Sequence, residues 1–525
     1  MNFKRIAWSV AAALAVPGLV HAEDESSLIS VYGHIGVGVE KVEATGKTRF
    51  GATHPLGNLS NGINFAMYGR IDDLPSRTRV TDGISYIGLR GNQDLGKGFT
   101  ALYQIETAIK PDDGCGYVGC ENSEVSKPAG SKTARFASRQ SYVGLRNGSV
   151  GTLQFGRLDM YFDKHVPNEL HLLKSGASST ALSILGYAFN SGSSFGGYFP
   201  VVSAQGAATF AAAAGLPAAA ATLVKNYSQF AMPFYNVGNR ASNVVQYRTP
   251  SFKGLQAIAA YQIPESKGGW YKGSDYAGNR TALNALTGWD SGNSLCMPNS
   301  PIGCIPETLN RLSGSRDVRP DAREFTVAFF PGWMFASLAY LEERDPVPLI
   351  AGGAIDKAYG LKGSIGIQVA ESIPLRLGVV YERQVNQYNS SFAQSLQGLA
   401  AASGQPVPSI GDSSRDTLVL ASSYKFSDSV ELIGTWGKAK DTKTFTGETD
   451  TQSGATYTQL TALYNFSKRT NLFATYAKVE NDEVAGYNFF INAAATPGDA
   501  LQAPFLQTPR GSDPTSVQVG ISHNF

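Results

Sequence analysis

The chain alternates apolar and polar residues at every second position, in segments of about 10 to 14 residues. In the last segment, Val517, Val519 and Ile521 alternate with Gln518 and Ser522. Other apolar sets with this spacing are Tyr103/Ile105, Phe325/Val327/Phe329, Leu375/Leu377/Val379/Tyr381, Leu418/Leu420 and Leu460/Ala462/Tyr464. Because successive side chains of a strand point to opposite faces of a sheet, the pattern predicts amphipathic β-strands.

The length of these segments favours a membrane barrel over a soluble β-sandwich, which also alternates. Globular strands usually have about 5–6 residues, whereas a tilted strand needs about 9–11 to cross a bilayer. Aromatic residues also lie near segment ends, namely Tyr247, Phe329/Phe330, Tyr424/Phe426, Tyr464/Phe466 and Phe525. That distribution is typical of the aromatic girdle at a membrane interface.

The connections between segments alternate in length. Short, turn-rich links occur near 93–98, 147–151, 250–254, 330–333, 427–429 and 467–470. Between them lie long stretches at 41–77, 111–133, 158–239, 265–320, 346–356, 389–413, 442–454 and 484–512. Short periplasmic turns and long extracellular loops are the layout of bacterial outer-membrane barrels.

Counting gives about 16 strands in an all-β, transmembrane antiparallel β-barrel. The segments lie near 27–40, 78–92, 98–110, 134–147, 151–158, 240–250, 254–264, 321–331, 332–345, 356–369, 373–388, 414–427, 429–441, 455–467, 470–483 and 513–525. An even number allows closure, and a barrel of this size is too wide for side chains to fill, which leaves an aqueous channel.

The N-terminus predicts export. Lys4 and Arg5 precede an apolar run, and Val20-His21-Ala22 forms a small-x-small cleavage site, so residues 1–22 have the features of a secretory signal peptide. The apolar run is shorter than the ~20 residues of a spanning helix, which is the alternative. We therefore expect one mature unit, a single barrel over residues 23–525.

Charge adds a constraint on partners. The chain has 44 Lys+Arg and 42 Asp+Glu, and the two basic residues of the signal bring the mature chain to 42 of each. A balanced total gives no electrostatic case for nucleic acid, which needs a basic face. Any selectivity must therefore come from the positions of charges.

Four cysteines form two local pairs, Cys115/Cys120 and Cys296/Cys304. An even count in an exported chain indicates disulfides, and local pairing is the simplest of three possible connectivities. A zinc site is the alternative, but no histidine lies near either pair. We expect no metal and no cofactor.

If the apolar positions face lipid, their neighbours face water in the lumen. This places Arg90, Arg376 and Glu106 in the lumen, together with Arg146, Arg240, Arg248, Lys362, Lys425, Glu324, Glu382 and Glu431. Arginine is always charged and presents a rigid donor fork, so a cluster of arginines attracts anions. For any single residue, the alternative is a solvated charge of the wall.

The stretch that follows Gly156-Arg157 is the candidate constriction, and Arg157 is one of its expected pore-lining residues. It runs over 158–239, far beyond ordinary loop length, and starts with the charged residues Asp159, Asp163 and Glu169. An outer cap or a subunit-contact loop is the alternative. The stretch 265–320 is expected to be a second long external loop.

Five sequence stretches resemble the Gram-negative general porins of betaproteobacteria. They are YIGLRGNQDLGKGFTALYQIE (86–106), SRQSYVGLRNGSVGTLQFGR (138–157), NRASNVVQYRTPSFKGLQA (239–257), YNFSKRTNLFATYAKVEN (464–481) and VGISHNF (519–525). The resemblance implies a trimeric 16-stranded barrel with the third loop folded into the pore. The terminal Phe525 resembles the signal that the barrel assembly machinery reads.

The resemblance also implies roles for particular side chains. Arginines at the motif positions of Arg139 and Arg240 line the constriction and favour anions, and a third arginine usually stands where this chain has Tyr86. Strict alternation puts Arg139 on the face of Val143 and Leu145, so it needs a bulge or a strand end to reach the lumen.

These observations favour an outer-membrane porin for passive diffusion of ions and small hydrophilic solutes, weakly anion-preferring. The alternatives are a substrate-specific channel whose binding site is formed by the third loop, an outer-membrane hydrolase, and a soluble secreted β-protein. No nucleophile motif accompanies the few histidines, so we expect no enzyme. Expected partners are outer-membrane lipid and lipopolysaccharide, the assembly machinery, and two further copies of the chain.

Overall fold

The computed structural model defines most of the barrel wall and parts of its loops. The described residues are 29–45, 74–82, 85–109, 137–161, 183–185, 195–200, 229–235, 237–238, 240–264, 321–345, 355–370, 372–390, 393–394, 397, 409–447, 452–482, 485–489 and 511–525. The predicted signal segment, residues 1–22, and all four cysteines lie outside these ranges.

The described residues form 19 strands in two sheets. The large sheet contains β1 (Ser30–Thr45), β2 (Leu74–Asp82), β3 (Tyr86–Gly96), β4 (Phe99–Ala108), β5 (Ser141–Asn147), β6 (Gly151–Asp159), β9 (Arg240–Arg248), β10 (Leu255–Gln262), β11 (Asp321–Phe329), β12 (Met334–Arg344), β13 (Ile355–Ala370), β14 (Ile373–Tyr388), β15 (Ser413–Lys425), β16 (Val430–Ala439), β17 (Ala455–Asn465), β18 (Thr470–Asn481) and β19 (Asp513–Asn524). The small sheet pairs β7 (Phe195–Pro200) with β8 (Gln229–Pro233).

The large sheet closes into an antiparallel barrel. Neighbours in the chain are neighbours in the sheet, β6 pairs directly with β9, and β19 returns to β1 through pairs such as Val39↔Val519. Both β2 and β3 pair with β1, at Val37–Ala44 and Ser30–His34 respectively. They therefore occupy one strand position of the barrel wall, interrupted in the middle. We call each strand position of the wall a stave and number the staves from β1. The predicted 16-stranded all-β barrel is confirmed, with 16 staves counted from β1 and with β2 and β3 together as the second.

The two faces of the wall have opposite chemistry. The outer face exposes apolar side chains, among them Val39 (55%), Leu338 (55%), Ile365 (53%) and Val519 (58%). The inner face carries polar and charged residues, including Glu40, Gln104, Thr326, Lys362, Glu382, Arg415 and Ser516. Period-two alternation is thus expressed as an apolar outside and a polar inside, the arrangement of a barrel in lipid.

Aromatic pairs mark the short-turn end of the barrel. Tyr424 and Phe426 meet edge to face with ring centroids 4.8 Å apart, and Tyr464 and Phe466 do so at 5.1 Å. All four side chains are exposed on the outside, next to the turns at 426–429 and 466–469. Amphipathic rings at this level suit the membrane–water interface.

Strand boundaries differ from the predicted ones where local backbone geometry intervenes. The predicted segment 134–147 starts as a strand only at Ser141, because Ala137 has a positive φ of 66° and the Ser138 hydroxyl accepts a hydrogen bond from the Ala108 amide at 2.9 Å. The first strand continues to Thr45, beyond the predicted residue 40. The predicted segment 78–92 is divided between β2 and β3.

Within the described ranges, no helix is long and apolar enough to cross a membrane.

The outer and inner faces of the wall should respond differently when the same charged side chain is introduced. Leu338 lies near the middle of β12 on the lipid side, and the adjacent Ser337 faces inward, where its hydroxyl is 2.7 Å from that of Ser364. We expect Leu338→Arg to lower the free energy of unfolding by about 2–4 kcal/mol, because it puts a cation in hydrocarbon. Ser337→Arg, its matched control, should cost much less. Urea unfolding in lipid vesicles measures both; equal losses would contradict the assignment of faces.

Candidate functional site: the lumen wall and the third loop

The connection between β6 and β9 lies against the inner wall of the barrel. Its described residues Tyr161, Ile184, Phe234 and Val237 are almost completely buried. They contact β12 to β16, the ninth to thirteenth staves, although the connection leaves and rejoins the wall at the fifth and sixth. The described parts of the third loop therefore reach across the lumen to the far wall.

Tyr161 is fixed by a cation from that wall. The Lys362 ammonium lies 3.9 Å from the centre of the Tyr161 ring and donates a hydrogen bond to the Tyr161 carbonyl. Lysine over an aromatic face is a favourable electrostatic contact, and it is stronger when water is excluded. The buried Lys362 side chain therefore holds the first residues of the loop against the wall.

A glycine makes the approach of the loop possible. A Cβ atom on Gly360, two residues before Lys362 on the same face, would lie 2.6 Å from the Tyr161 hydroxyl and 2.7 Å from a Val237 methyl group. On β16, a Cβ atom on Gly437 would lie 2.3 Å from Ile184. All three distances are shorter than van der Waals contact, so the absence of a side chain at Gly360 and Gly437 leaves the space that the loop fills.

Polar contacts fix the last part of the loop. The Tyr235 hydroxyl donates to Glu343 at 2.5 Å, and the Gly238 amide donates to the same carboxylate at 3.2 Å. The Val237 amide donates to the side-chain oxygen of Gln384 at 3.0 Å, and the Gln384 nitrogen donates back to the Val237 carbonyl at 3.3 Å. Paired bonds of this kind satisfy the buried polar groups of loop and wall together.

Arg415 connects two long loops. Its guanidinium lies 5.2 Å from the Phe234 ring of the third loop and 5.5 Å from the Tyr487 ring in the connection between β18 and β19. It also donates to the Tyr487 hydroxyl at 3.0 Å. Arg415 is only 2% exposed, so the lumen wall, the third loop and the last loop pack around one buried cation.

Burial also sets the ionisation of the loop tyrosines. Desolvation raises the pKa of Tyr161 and of Tyr235 well above the usual value for a tyrosine, and the neighbouring charges of Glu382 and Glu343 raise it further. Because an unfolded tyrosine ionises near pH ~10, this contribution to stability is complete below that pH and falls as the pH rises above it. Both residues therefore stay neutral at working pH.

The opposite side of the lumen carries a different set of residues. Arg139 forms an ion pair with Glu106 on β4, and its guanidinium lies 4.6 Å from the centre of the Tyr86 ring on β3. The Tyr32 hydroxyl donates to the second oxygen of Glu106 at 3.0 Å, and the Arg90 guanidinium lies 4.8 Å from the Tyr32 ring. These residues belong to the first to fourth staves, so they face the wall that holds the third loop.

Arg139 reaches this group because it precedes its strand. Its amide donates to the Glu106 carbonyl at 3.0 Å, and β5 begins only at Ser141, after the turn at Ala137. Strand alternation therefore does not govern its side chain. The sequence predicted that Arg139 could reach the lumen only from a bulge or a strand end. Arg139 lies just before the start of β5, at such a strand end.

A second charged group lies higher on the same side, toward the long loops. Glu40 on β1 pairs with Arg79 on β2 at 2.7 Å and accepts a hydrogen bond from Ser516 on β19. Glu40 is completely buried, and Val42 and Arg77 are cross-strand neighbours above it. The lumen near β1 thus contains two ion pairs, Arg79 with Glu40 and Arg139 with Glu106.

The remaining predicted residues lie elsewhere. Arg157 shares its face with the outward-facing Leu153 and Phe155, and donates to the Ser138 carbonyl at 3.1 Å and the Ser242 hydroxyl at 3.0 Å. It ties the turn before β5 to β9.

Asp159 ends β6 and accepts a hydrogen bond from the buried Gln140, and the backbone of Arg240 pairs with it at the start of β9. Arg376 faces inward close to the short turn between β13 and β14, where it donates to Gln368 at 3.0 Å, far around the wall from Arg139. Asp163, Glu169, Cys115, Cys120, Cys296 and Cys304 lie outside the described residues.

Phe525 closes the barrel at its short-turn end. Its amide and carbonyl exchange 3.1 Å hydrogen bonds with Gly33, and its ring occupies the space in which a Gly33 side chain would lie. The terminal residue therefore continues the β19–β1 ladder.

Several functional side chains escaped the sequence analysis. Tyr32, Glu40 and Arg79 lie in the two weakly alternating segments near the N-terminus, and Arg415 lies at a strand end. A signal was present in Arg77-Thr-Arg79-Val80, where arginines alternate with positions that face lipid. Within the described part of the chain, no three His, Cys, Asp or Glu residues are grouped as metal ligands.

The fold and the site together define a class, an antiparallel β-barrel with a polar lumen that a long inward loop enters. A family model described as Gram-negative porin matches residues 7–484, and the chain belongs to that family, whose barrels lie in the outer membrane. Membership points to a channel rather than an enzyme.

Known relatives match parts of the sequence. The major outer membrane protein P.IA of Neisseria meningitidis serogroup C is 28% identical over 26% of this chain and 29% of its own length. An outer membrane porin protein of Bordetella pertussis is 27% identical over 28% of this chain and 32% of its own length. These matches thus span less than a third of each relative.

A solved structure matches over nearly the whole chain. The anion-selective porin from Comamonas acidovorans aligns with 95% of this chain and 99% of its own, with a TM-score of 0.52 and 17% identity. This likeness supports the barrel fold.

Gly360 provides a test of how the third loop is held. We expect Gly360→Ala to displace Tyr161 and Val237 and to speed amide hydrogen exchange in peptides around 158–162 by about tenfold, equivalent to ~1.4 kcal/mol of local stability. The matched control is Gly363→Ala on the same strand, where the nearest atom, on Leu338, is 4.0 Å away. Unchanged exchange in both variants, measured by mass spectrometry, would refute the predicted anchoring.

Proposed function

We propose that this protein forms a water-filled channel for passive diffusion of ions and small hydrophilic solutes across the outer membrane. The observation that carries the proposal is the closed 16-stave wall with an apolar outside and a charged, polar inside. A wall of this circumference encloses more space than its side chains fill. No moving part is required, because the solute gradient drives the flux.

We propose that the third loop narrows this channel, and that the wall formed by the first four staves, which carries Arg139, forms the other side of the constriction. The support is topological and chemical. The loop residues contact staves nine to thirteen, and Arg139, Tyr86 and Arg90 lie on the first four staves. A solute that passes between them meets a fixed loop on one side and guanidinium groups on the other.

We further propose a weak preference for anions. In the described part of the chain Arg90 forms no ion pair, while Glu106 neutralises Arg139 and Glu40 neutralises Arg79. Among these five side chains, three cations and two carboxylates leave an excess of one positive charge. The relative of known structure from Comamonas acidovorans is titled an anion-selective porin, which agrees with the sign.

The proposed partners follow from the surface and the termini. Outward-facing Arg323, Arg344 and Lys357 lie at the long-loop ends of β11 to β13, with Glu342 and Tyr359 beside them. This surface suits the phosphate groups of lipopolysaccharide and other outer-membrane lipid. We also propose a homotrimer, and recognition of Phe525 by the barrel assembly machinery, because the sequence resembles general porins.

Conductance tests the channel itself. Purified protein added to a planar bilayer in KCl should insert with stepwise increases in current, and a trimer should close in three equal steps. The physical reason is that each water-filled barrel conducts independently. Membranes without protein and protein denatured before addition are the controls. A folded protein that inserts without any conductance would refute the proposal.

Reversal potential tests the selectivity. A unit charge about 6 Å from a permeant ion in water contributes about 0.7 kcal/mol, or about threefold in occupancy. We therefore expect Arg139→Gln to lower the chloride-to-potassium permeability ratio by up to about threefold, because Glu106 is then left without its partner. Arg323→Gln removes the same charge from the outward-facing surface of β11 and should change the ratio far less. Equal shifts in the two variants would oppose the assigned constriction.

A further inference from the structure

Four side chains form a continuous strip on the lumen face near β1, β3 and β4. Arg139 stacks on Tyr86 at 4.6 Å, Tyr86 meets Tyr32 edge to face at 6.2 Å, and Arg90 stacks on Tyr32 at 4.8 Å. The order is therefore cation, ring, ring, cation. We call these four residues the cation–aromatic strip.

The strip depends on a glycine in the YIGLRG motif. Gly88 lies opposite Tyr32 in the β1–β3 ladder, and a Cβ atom on it would be 2.5 Å from the Tyr32 ring. The Tyr32 ring consequently lies flat over the backbone at Gly88, between Tyr86 and Arg90 of the same strand. Any larger residue at this position would push the ring off the wall and open the strip.

The two arginines of the strip differ in how accessible they are to a solute in the lumen. Arg139 is 17% exposed and is paired with Glu106, which also accepts the Tyr32 hydroxyl. Arg90 is exposed, and no carboxylate within the described residues pairs with it. The strip therefore offers one guanidinium to a passing anion, immediately beside two half-buried aromatic rings.

A second copy of the motif shows that this arrangement is specific to the first. Tyr142-Val143-Gly144-Leu145-Arg146 has the same residue types in the same order on β5. A Cβ atom on Gly144 would meet the Leu153 carbonyl at 2.7 Å and the Gln154 side chain, not a ring. Tyr142 hydrogen-bonds Gln104 and, within the described ranges, stacks on no aromatic ring or cation.

We propose that the cation–aromatic strip is a weak binding site for planar aromatic carboxylates. Arginine pairs with a carboxylate through two parallel hydrogen bonds, and an aromatic ring beside it gains edge-to-face or offset contacts with Tyr32 and Tyr86. A saturated ring with the same charge keeps the first contact and loses the second. The inference rests on the proposed channel, since a solute must enter the lumen to reach the strip.

The experiment compares two acids that differ mainly in aromaticity. Purified full-length protein in a planar bilayer is titrated with potassium benzoate or potassium cyclohexanecarboxylate, and the concentration that halves the single-channel chloride current is measured. We expect benzoate to act at an about threefold lower concentration, within the range of a single aromatic contact. Equal concentrations for the two acids would overturn the proposal.

Variants assign the effect to the strip. Tyr86→Leu should bring the ratio of the two concentrations close to one, and Tyr86→Phe, which keeps the ring, should restore it. Arg90→Gln should weaken both acids together and leave the ratio in place. Tyr476→Leu removes a tyrosine that is 43% exposed on the outer face, and serves as the matched control.

The measurements distinguish a variant that does not fold, a protein that forms no channel and a channel that has no aromatic site. Heat-dependent gel mobility identifies any variant that does not fold, and the wild-type comparison alone can overturn the proposal. Absence of conductance in KCl would contradict the channel itself. Normal conductance in KCl with a ratio that Tyr86→Leu leaves unchanged would overturn the aromatic site and leave the channel intact.

Discussion

Backbone hydrogen bonding in hydrocarbon is the constraint on which the rest of this structure depends. Lipid tails offer no partner for an amide or a carbonyl, so a sheet that spans a membrane must have no open edge. The chain meets this requirement by pairing β19 with β1 and by continuing the ladder to Phe525, which bonds to Gly33. Even the interruption between β2 and β3 keeps both pieces paired with β1. Closure fixes the circumference, and the circumference gives an interior that side chains cannot fill.

The interior is therefore filled selectively by loops, and buried charges hold them in place. Burying a cation without compensation costs several kcal/mol, so Lys362 and Arg415 are stable there only because of what they contact. Lys362 binds the Tyr161 ring and carbonyl, and Arg415 is surrounded by Phe234 and Tyr487. Both buried cations of this wall thus contact the third loop. The opposite wall, which binds no described loop segment, keeps an arginine available to solutes.

The sequence predicted the barrel well because its period of two is imposed directly by lipid outside and polar groups inside. Most strands from Asp321 onward follow this rule over much of their length, so their bounds and faces could be assigned from residue type. The site was less predictable. Arg139 reaches Glu106 from just before the start of its strand, two residues after the positive φ of Ala137. Backbone turns and cross-lumen packing leave no periodic signal.

The replacement of an expected arginine by Tyr86 changes what the wall can recognise. With Tyr86 in the middle, Arg139 lies over the ring and pairs with Glu106, and the space beside Gly88 holds the Tyr32 ring. Within this group of four side chains Arg90 is the exposed guanidinium, and the rings of Tyr32 and Tyr86 lie next to it. A wall of this kind discriminates between solutes by shape and π-surface as well as by charge. A small ion is held strongly by water, whereas a flat aromatic ring is held less strongly and can transfer to the tyrosine surface.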